Sequence, residues 1–179
     1  MRKRVMALTW YISLAELAER PGAVELSQTF AGMGKPMPRP EILDALLRGE
    51  ETSSWPPAEV EVALAAVAKI GDAVEETQGL VDGYLLKRGY KLPLAKVPSI
   101  LTGWARAITR YKLHSHRVSE EKTDPIVRDY RDALKFLEQV AAGKFSLGLG
   151  DSLPAAGGTP QITGPGRTFS MDTLRDYGK

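Results

Sequence analysis

From Pro57 onward, Val60, Leu64, Val67, Gly71, Val74, Gln78, Val81 and Leu85 follow one another at spacings that alternate between four and three, which traces one face of a long α-helix. No stretch of the chain sustains the period-two alternation of a strand, and no internal repeat is visible. A helix this long has to bury its stripe against other helices, so the expected fold is all-α: a small bundle built around it. Pro57 suits the first helical position. To about Leu86 the helix would span roughly 40 Å at ~1.5 Å per residue. Gly71, Gly79 and Gly83 each cost about 1 kcal/mol relative to Ala, so a bend or break near Gly79 is expected.

Two helices should follow the long one. Tyr90 to Leu94 reads as an extended connector, because Pro93 pushes Leu92 out of the helical region. Pro98 then opens a helix with the stripe Leu101, Trp104, Ile108 and Tyr111, ending near His116. Thr123-Asp124-Pro125 restarts the chain, and Ile126, Val127, Tyr130, Ala133, Leu134, Leu137, Val140 and Ala141 mark a core-facing stripe that Gly143 caps. Ahead of the long helix, Ser13 and Glu16 form a capping-box pair, Pro21-Gly22 stops a short first helix, and Ala31 to Pro57 reads mostly as loop with a helical piece over Glu41 to Leu47. Beyond Gly148 the chain is poor in large apolar groups up to Gly166, as an extended flexible C-terminal arm would be. The expected divisions are 1–57 (short helix and Pro/Gly-rich loop), 58–147 (helical core) and 148–179 (arm with a docking tip).

Catalytic patterns are sparse. With no cysteine among 179 residues, disulfides, thiolate zinc sites and cysteine nucleophiles are excluded together. Gly32-Met33-Gly34-Lys35 glances at a phosphate loop, but position 29 is Thr and Pro36 stands where the magnesium-binding hydroxyl belongs. The two histidines, His114 and His116, would point to opposite sides of a helix and read as its solvated end. No serine elbow is present. The reading is therefore a non-enzyme, with no cofactor and no metal. Arg2-Lys3-Arg4 imitates the start of a signal peptide, but Thr9 and Ser13 interrupt the apolar run. A soluble protein with no membrane partner is expected.

Charge is distributed unevenly. Between Glu41 and Asp82 there are ten acidic residues against Arg48 and Lys69, whereas Gly83 to Ser119 holds eight basic residues and no acid. Two copies could therefore meet acidic side to basic side, a heterologous contact that closes into a ring when the rotation allows. The candidate inter-subunit residues are Glu59, Glu61, Glu75, Glu76 and Asp82 on one side and Arg106, Arg110 and Arg117 on the other. Alternatively, the basic 87–117 stretch would serve a helical nucleic-acid-binding regulator, with Trp104 and Tyr111 as stacking groups, although their helical spacing favours core positions.

Four co-linear segments carry a family resemblance: Val81-Asp82-Gly83-Tyr84-Leu85 running into Tyr90-Lys91-Leu92-Pro93-Leu94; Arg110-Tyr111-Lys112-Leu113; Tyr130 to Leu137 continuing to Ala142-Gly143-Lys144-Phe145-Ser146-Leu147-Gly148; and Arg167-Thr168-Phe169-Ser170-Met171-Asp172. In this order and spacing the chain resembles, over roughly Val60 to Tyr177, the Mu-like phage and prophage family of small virion proteins that connect head to tail. The resemblance implies a helical head-tail adaptor in the virion neck, present in the host cytoplasm during assembly, that forms a homo-oligomeric ring matching the portal's symmetry, roughly twelve subunits. Such a ring would bridge the portal protein to the next neck or stopper protein and line the channel for exiting DNA, touching it only transiently and without sequence preference. Lys87, Arg88, Lys91 and Lys96 are the candidate channel residues, and Arg167, Phe169, Leu174 and Tyr177 the candidate portal-docking residues. The Pro-rich Gly34 to Pro57 region departs from the family in looking longer than its usual short acidic turn. A tail-terminator or head-completion protein is the third reading.

Overall fold

The computed structural model describes residues 10–116 and 123–149, and within them the fold is all-α, with no strand. Six α-helices follow in order: α1 (Leu14–Leu17), α2 (Ala23–Gly32), α3 (Pro40–Arg48), α4 (Pro57–Arg88), α5 (Ser99–His114) and α6 (Pro125–Ala141), with a π-helical turn at Ala18–Gly22 between the first two. No helix among the described residues is long and apolar enough to cross a membrane.

Residues 10–57 hold more helix than the sequence pattern conveys. The capping box forms as its spacing requires: the Ser13 hydroxyl accepts from the Glu16 amide at 3.2 Å, and Glu16 Oε2 accepts from the Ser13 amide at 2.8 Å. Pro21-Gly22 interrupts the helix for one turn, with Arg20 at φ −146°, ψ 117° and Gly22 at φ +102°. The chain then resumes as α2 directly, because Ala23, Leu26 and Phe30 fall on one face and are buried. Pro40 starts α3 and Gly49, at φ +73°, ends it, so the expected loop is confined to 33–39 and 49–56. Ile42, Leu43, Ala45 and Leu47 of α3 are buried, which makes the Pro-rich region a contributor to the core.

The long helix is continuous through all three glycines, and the expected break near Gly79 does not occur. A Cβ at Gly71, Gly79 or Gly83 would meet nothing within 4 Å, so these positions cost helix propensity but open no gap in the packing. The buried face also differs from the expected stripe in the first half of α4. Ala63, Ala66, Ile70, Ala73, Val74 and Thr77 are buried there, whereas Leu64 is 50% exposed. Small residues face inward because α3, α5 and α6 all pack on α4, and close packing on three sides leaves room for alanine rather than leucine. From Val74 to Leu85 the stripe Val74, Val81, Leu85 is buried as expected.

Helices α5 and α6 fulfil their sequence signals. Leu101, Trp104 and Ile108 are buried on α5, and Val127, Ala133, Leu137 and Val140 on α6. Asp124 caps α6 by accepting from the Ile126 amide at 2.8 Å, and Gly143 adopts φ +72° just past its end. Trp104 stacks on Phe136 with centroids 5.5 Å apart, and Phe145 meets both rings edge-on at 5.8 Å. Leu147 closes this cluster. Nearly all of the expected arm, 150–179, lies outside the described residues.

Candidate interaction surface

The charged side chains divide into those consumed inside the subunit and those left facing solvent. The most enclosed group joins α2 to α5. Arg110 donates from Nε and Nη2 to the two Glu25 carboxylate oxygens at 2.6 and 2.8 Å, and His114 Nε2 lies 2.9 Å from Glu25 Oε1. The Thr29 hydroxyl donates to the Glu25 carbonyl at 2.9 Å and sits 3.0 Å from the same histidine nitrogen. Burial raises the pKa of the Glu25 carboxyl, but the Arg110 bonds and charge together with His114 outweigh it and hold the group below its usual range. This cluster corrects the reading of His114 as part of a solvated helix end, since its side chain is only 11% exposed, while His116 is exposed.

Other candidates are also engaged within the chain. Lys112 donates to Glu76 at 2.8 Å, and Arg39 donates to Glu59 at 3.0 Å. Asp82 accepts from the Tyr11 hydroxyl, whose pKa is pushed upward by burial first and by the carboxylate second. The structure thus places Arg110, Glu59, Glu76 and Asp82 in intramolecular pairs. In the core between α4 and α5, Thr109 donates to Thr77 at 3.0 Å, and Thr77 donates to the Ala73 carbonyl at 2.8 Å.

What remains at the surface is narrower than the sequence list. Glu61 and Glu75 are exposed on α4 with no ion pair among the described residues. Lys87, Lys91 and Lys96 are exposed at the far end of that helix and in the connector after it. Arg88 is half-buried, its guanidinium beside Gly143. Arg106 is half-buried, and its Nε is enclosed without a hydrogen-bond partner. Trp104 is 8% exposed and Tyr111 stacks on Tyr130 at 3.9 Å, so both rings serve the core. Arg117 and the docking candidates Arg167, Phe169, Leu174 and Tyr177 lie outside the described residues. No group of three or more His, Cys, Asp or Glu among the described residues is placed to share a metal ion.

The Glu25 cluster was missed by sequence reasoning. Arg110 and His114 stand four apart on one helix, which puts them on one face, but their shared partner is 85 residues away from the arginine. Spacing alone could announce the pair without naming what it holds.

Comparison with known proteins supplies the context for this surface. The chain is similar over 84 residues, at 43% identity, to the Mu-like prophage FluMu protein gp36 of Haemophilus influenzae, covering 47% of this chain and 56% of that one. It is also similar to Gene product J of Escherichia phage Mu, 34% identical over 77 residues, covering 43% of this chain and 51% of the phage protein. The chain therefore spans about half the length of the curated relatives it matches. A family model described as Bacteriophage Mu, Gp36 matches residues 11–163, which takes in the Pro-rich front third and stops before Arg167. With most of its length matched, the chain belongs to the bacteriophage Mu gp36 family of phage proteins.

Proposed function

We propose that this phage protein is a structural component of the virion: a head-tail adaptor that forms a ring below the portal, bridges it to the next neck or stopper protein and surrounds the DNA exit channel. The observation that carries the reading is the separation, in a member of this phage family, of exposed carboxylates on the outer side of α4, without an ion pair among the described residues, from exposed lysines at and beyond its C-terminal end. Surfaces of opposite sign on one chain suit a repeated head-to-tail contact, and charge complementarity sets register and partner choice more than affinity. The tip residues Arg167, Phe169, Leu174 and Tyr177 supply the aromatic and arginine anchors of a portal contact.

Four observations weigh against the regulator. Arg110 and Lys112 are held by Glu25 and Glu76, Trp104 is buried, and Tyr111 is stacked within the bundle. That leaves the basic stretch without the interleaved exposed aromatics that a stacking platform needs. Contact with DNA in the adaptor is weak and steeply salt-dependent, because a channel that clamps phosphates would stall its cargo.

Quantitative analysis of purified particles tests the assignment. The adaptor reading expects this chain in the virion at about the same copy number as the portal protein, roughly twelve per particle for a ring of matching symmetry. Its absence from particles, or a sequence-specific footprint on DNA at physiological salt, overturns it.

A further inference from the structure

We propose that the solvent side of α4 is a docking face for a second copy of this chain, neutralised by that copy's lysines 87, 91 and 96. The proposal rests on the adaptor reading only for its setting in the particle. It reassigns these lysines from the DNA channel to a contact between subunits.

The face follows from helix geometry. With Ala66, Ile70, Ala73, Thr77 and Val81 turned inward, a rotation of about 100° per residue puts Glu61, Ala65, Ala68, Glu75, Gly79 and Leu86 on the opposite side. Leu64 and Leu86 are 50% and 60% exposed. They stand about 33 Å apart along the axis at ~1.5 Å per residue, with only small and acidic residues on the face between them. Exposed leucines at both ends of a helix face offer apolar anchors to a partner. The glycines between them are not required by internal packing, since a Cβ at Gly79 or Gly83 would touch nothing within 4 Å. They do leave the backbone open to close approach from outside. A groove whose lining includes Lys35, Glu61, Ala65, Ala68, Lys69 and Asp72 continues the same side toward the start of the helix.

Charge identifies the occupant. Glu61 and Glu75 have no ion pair among the described residues, whereas Asp72 lies 3.6 Å from Lys69. Along the axis, Glu61 is about 39 Å and Glu75 about 18 Å from Lys87, well beyond a Debye length of roughly 8–10 Å. Helix α5 runs back along α4, with Thr109 at Thr77 and Lys112 at Glu76, so the 89–98 connector stays at the C-terminal end of α4. Lysines 87, 91 and 96 of the subunit itself therefore lie too far away to neutralise Glu61 and Glu75, whereas those of a neighbour can reach them. A two-fold contact that pairs Leu64 with Leu86 would centre on Glu75 and set that carboxylate against its own copy, so the proposed contact is head-to-tail.

Paired charge reversal on the full chain tests this. Glu61→Lys with Glu75→Lys, and separately Lys87→Glu with Lys91→Glu, should each lower self-association of the isolated protein and incorporation into particles at least tenfold. Mixing the two variants should restore both, while circular dichroism shows each unmixed variant helical. Because the chain has no cysteine, Gly79→Cys with Lys91→Cys provides an independent readout: a bifunctional thiol cross-linker should give covalent oligomers of the doubly substituted chain. Reversals that assemble as the parent does, a mixture that fails to recover, or no cross-link in either the isolated protein or particles overturns the proposal. If the chain is present in particles at portal copy number but these signals are missing, the face is wrong and the adaptor reading stands. Absence of the chain from particles removes that reading, and the cross-link in the isolated protein still decides this one.

Discussion

Replacing Glu25 by Gln probes the ion-pair cluster that joins α2 to α5. The substitution keeps the shape of the side chain and removes the charge that Arg110 and His114 both address. Hydrogen bonds to a charged group contribute about 1.5–3 kcal/mol each, and three converge here at 2.6, 2.8 and 2.9 Å. They do not add in full, because the Glu25 and Arg110 side chains are 29% and 31% exposed and water screens part of the interaction. A net loss of about 2–3 kcal/mol is expected, equivalent to a fall of roughly 5–10 °C in melting temperature for a chain of this size.

The pH dependence has a definite sign. The folded carboxyl of Glu25 titrates below its usual range, so the folded state binds this proton less readily than the unfolded chain does. Its contribution is fully present above the unfolded pKa of about 4.3 and is lost as pH falls through the folded value. Thermal and urea unfolding of the parent and of Glu25→Gln should therefore show a gap that narrows as pH falls from about 5.5 toward 3.5. A gap under about 0.5 kcal/mol at pH 7, or one of undiminished size at pH 3.5, refutes the reasoning.

The buried threonine pair offers a cleaner polar test: Thr77→Val or Thr109→Val alone should cost about 1–2 kcal/mol by depriving the remaining hydroxyl of its partner, and the double variant should cost less than the sum, as read by a double-mutant cycle in urea. Gly79→Ala should raise the unfolding free energy of the isolated protein by about 0.5–1 kcal/mol, since the added methyl meets no atom and the helix gains propensity. Deleting Gly164 to Lys179 should leave the melting temperature nearly unchanged and abolish binding to assembled portal, measured by co-sedimentation; a truncated chain that binds as well as the full one contradicts the anchor role.

Helix starts and stops were legible wherever a single residue type controls them. Ser13 with Glu16, Asp124 with Pro125, and the glycine after α6 all act locally, and each appears in place. The direction of the α4 stripe was not legible in its first half, because alanine belongs to a buried face only when neighbouring helices come close, and that is a tertiary fact. The leucine at position 64 drew the stripe toward itself, yet it faces solvent. The helical piece expected over Glu41 to Leu47 appears as α3, but its place in the core was not legible. Prolines at 36, 38 and 40 suggest loop, although Pro40 occupies the one helical position where proline is favoured and Ile42, Leu43 and Leu47 then follow at helical spacing.

The charge pattern divides in a way that only the fold explains. Helices α4 and α5 run antiparallel and adjacent, so an acidic segment followed by a basic one is what two neighbouring helices require to avoid repulsion. Lys112 on Glu76 is that requirement met inside the subunit. Glu25 extends it, drawing Arg110 toward α2 instead of toward another chain. Counting charges along the sequence therefore overstates the surface available to a partner. Only the residues that antiparallel packing cannot reach belong to it, and these are the carboxylates on the far side of α4 and the lysines beyond its end. The proposed intermolecular contact draws on that remainder, because the inner charges already have partners that a neighbouring subunit would have to displace.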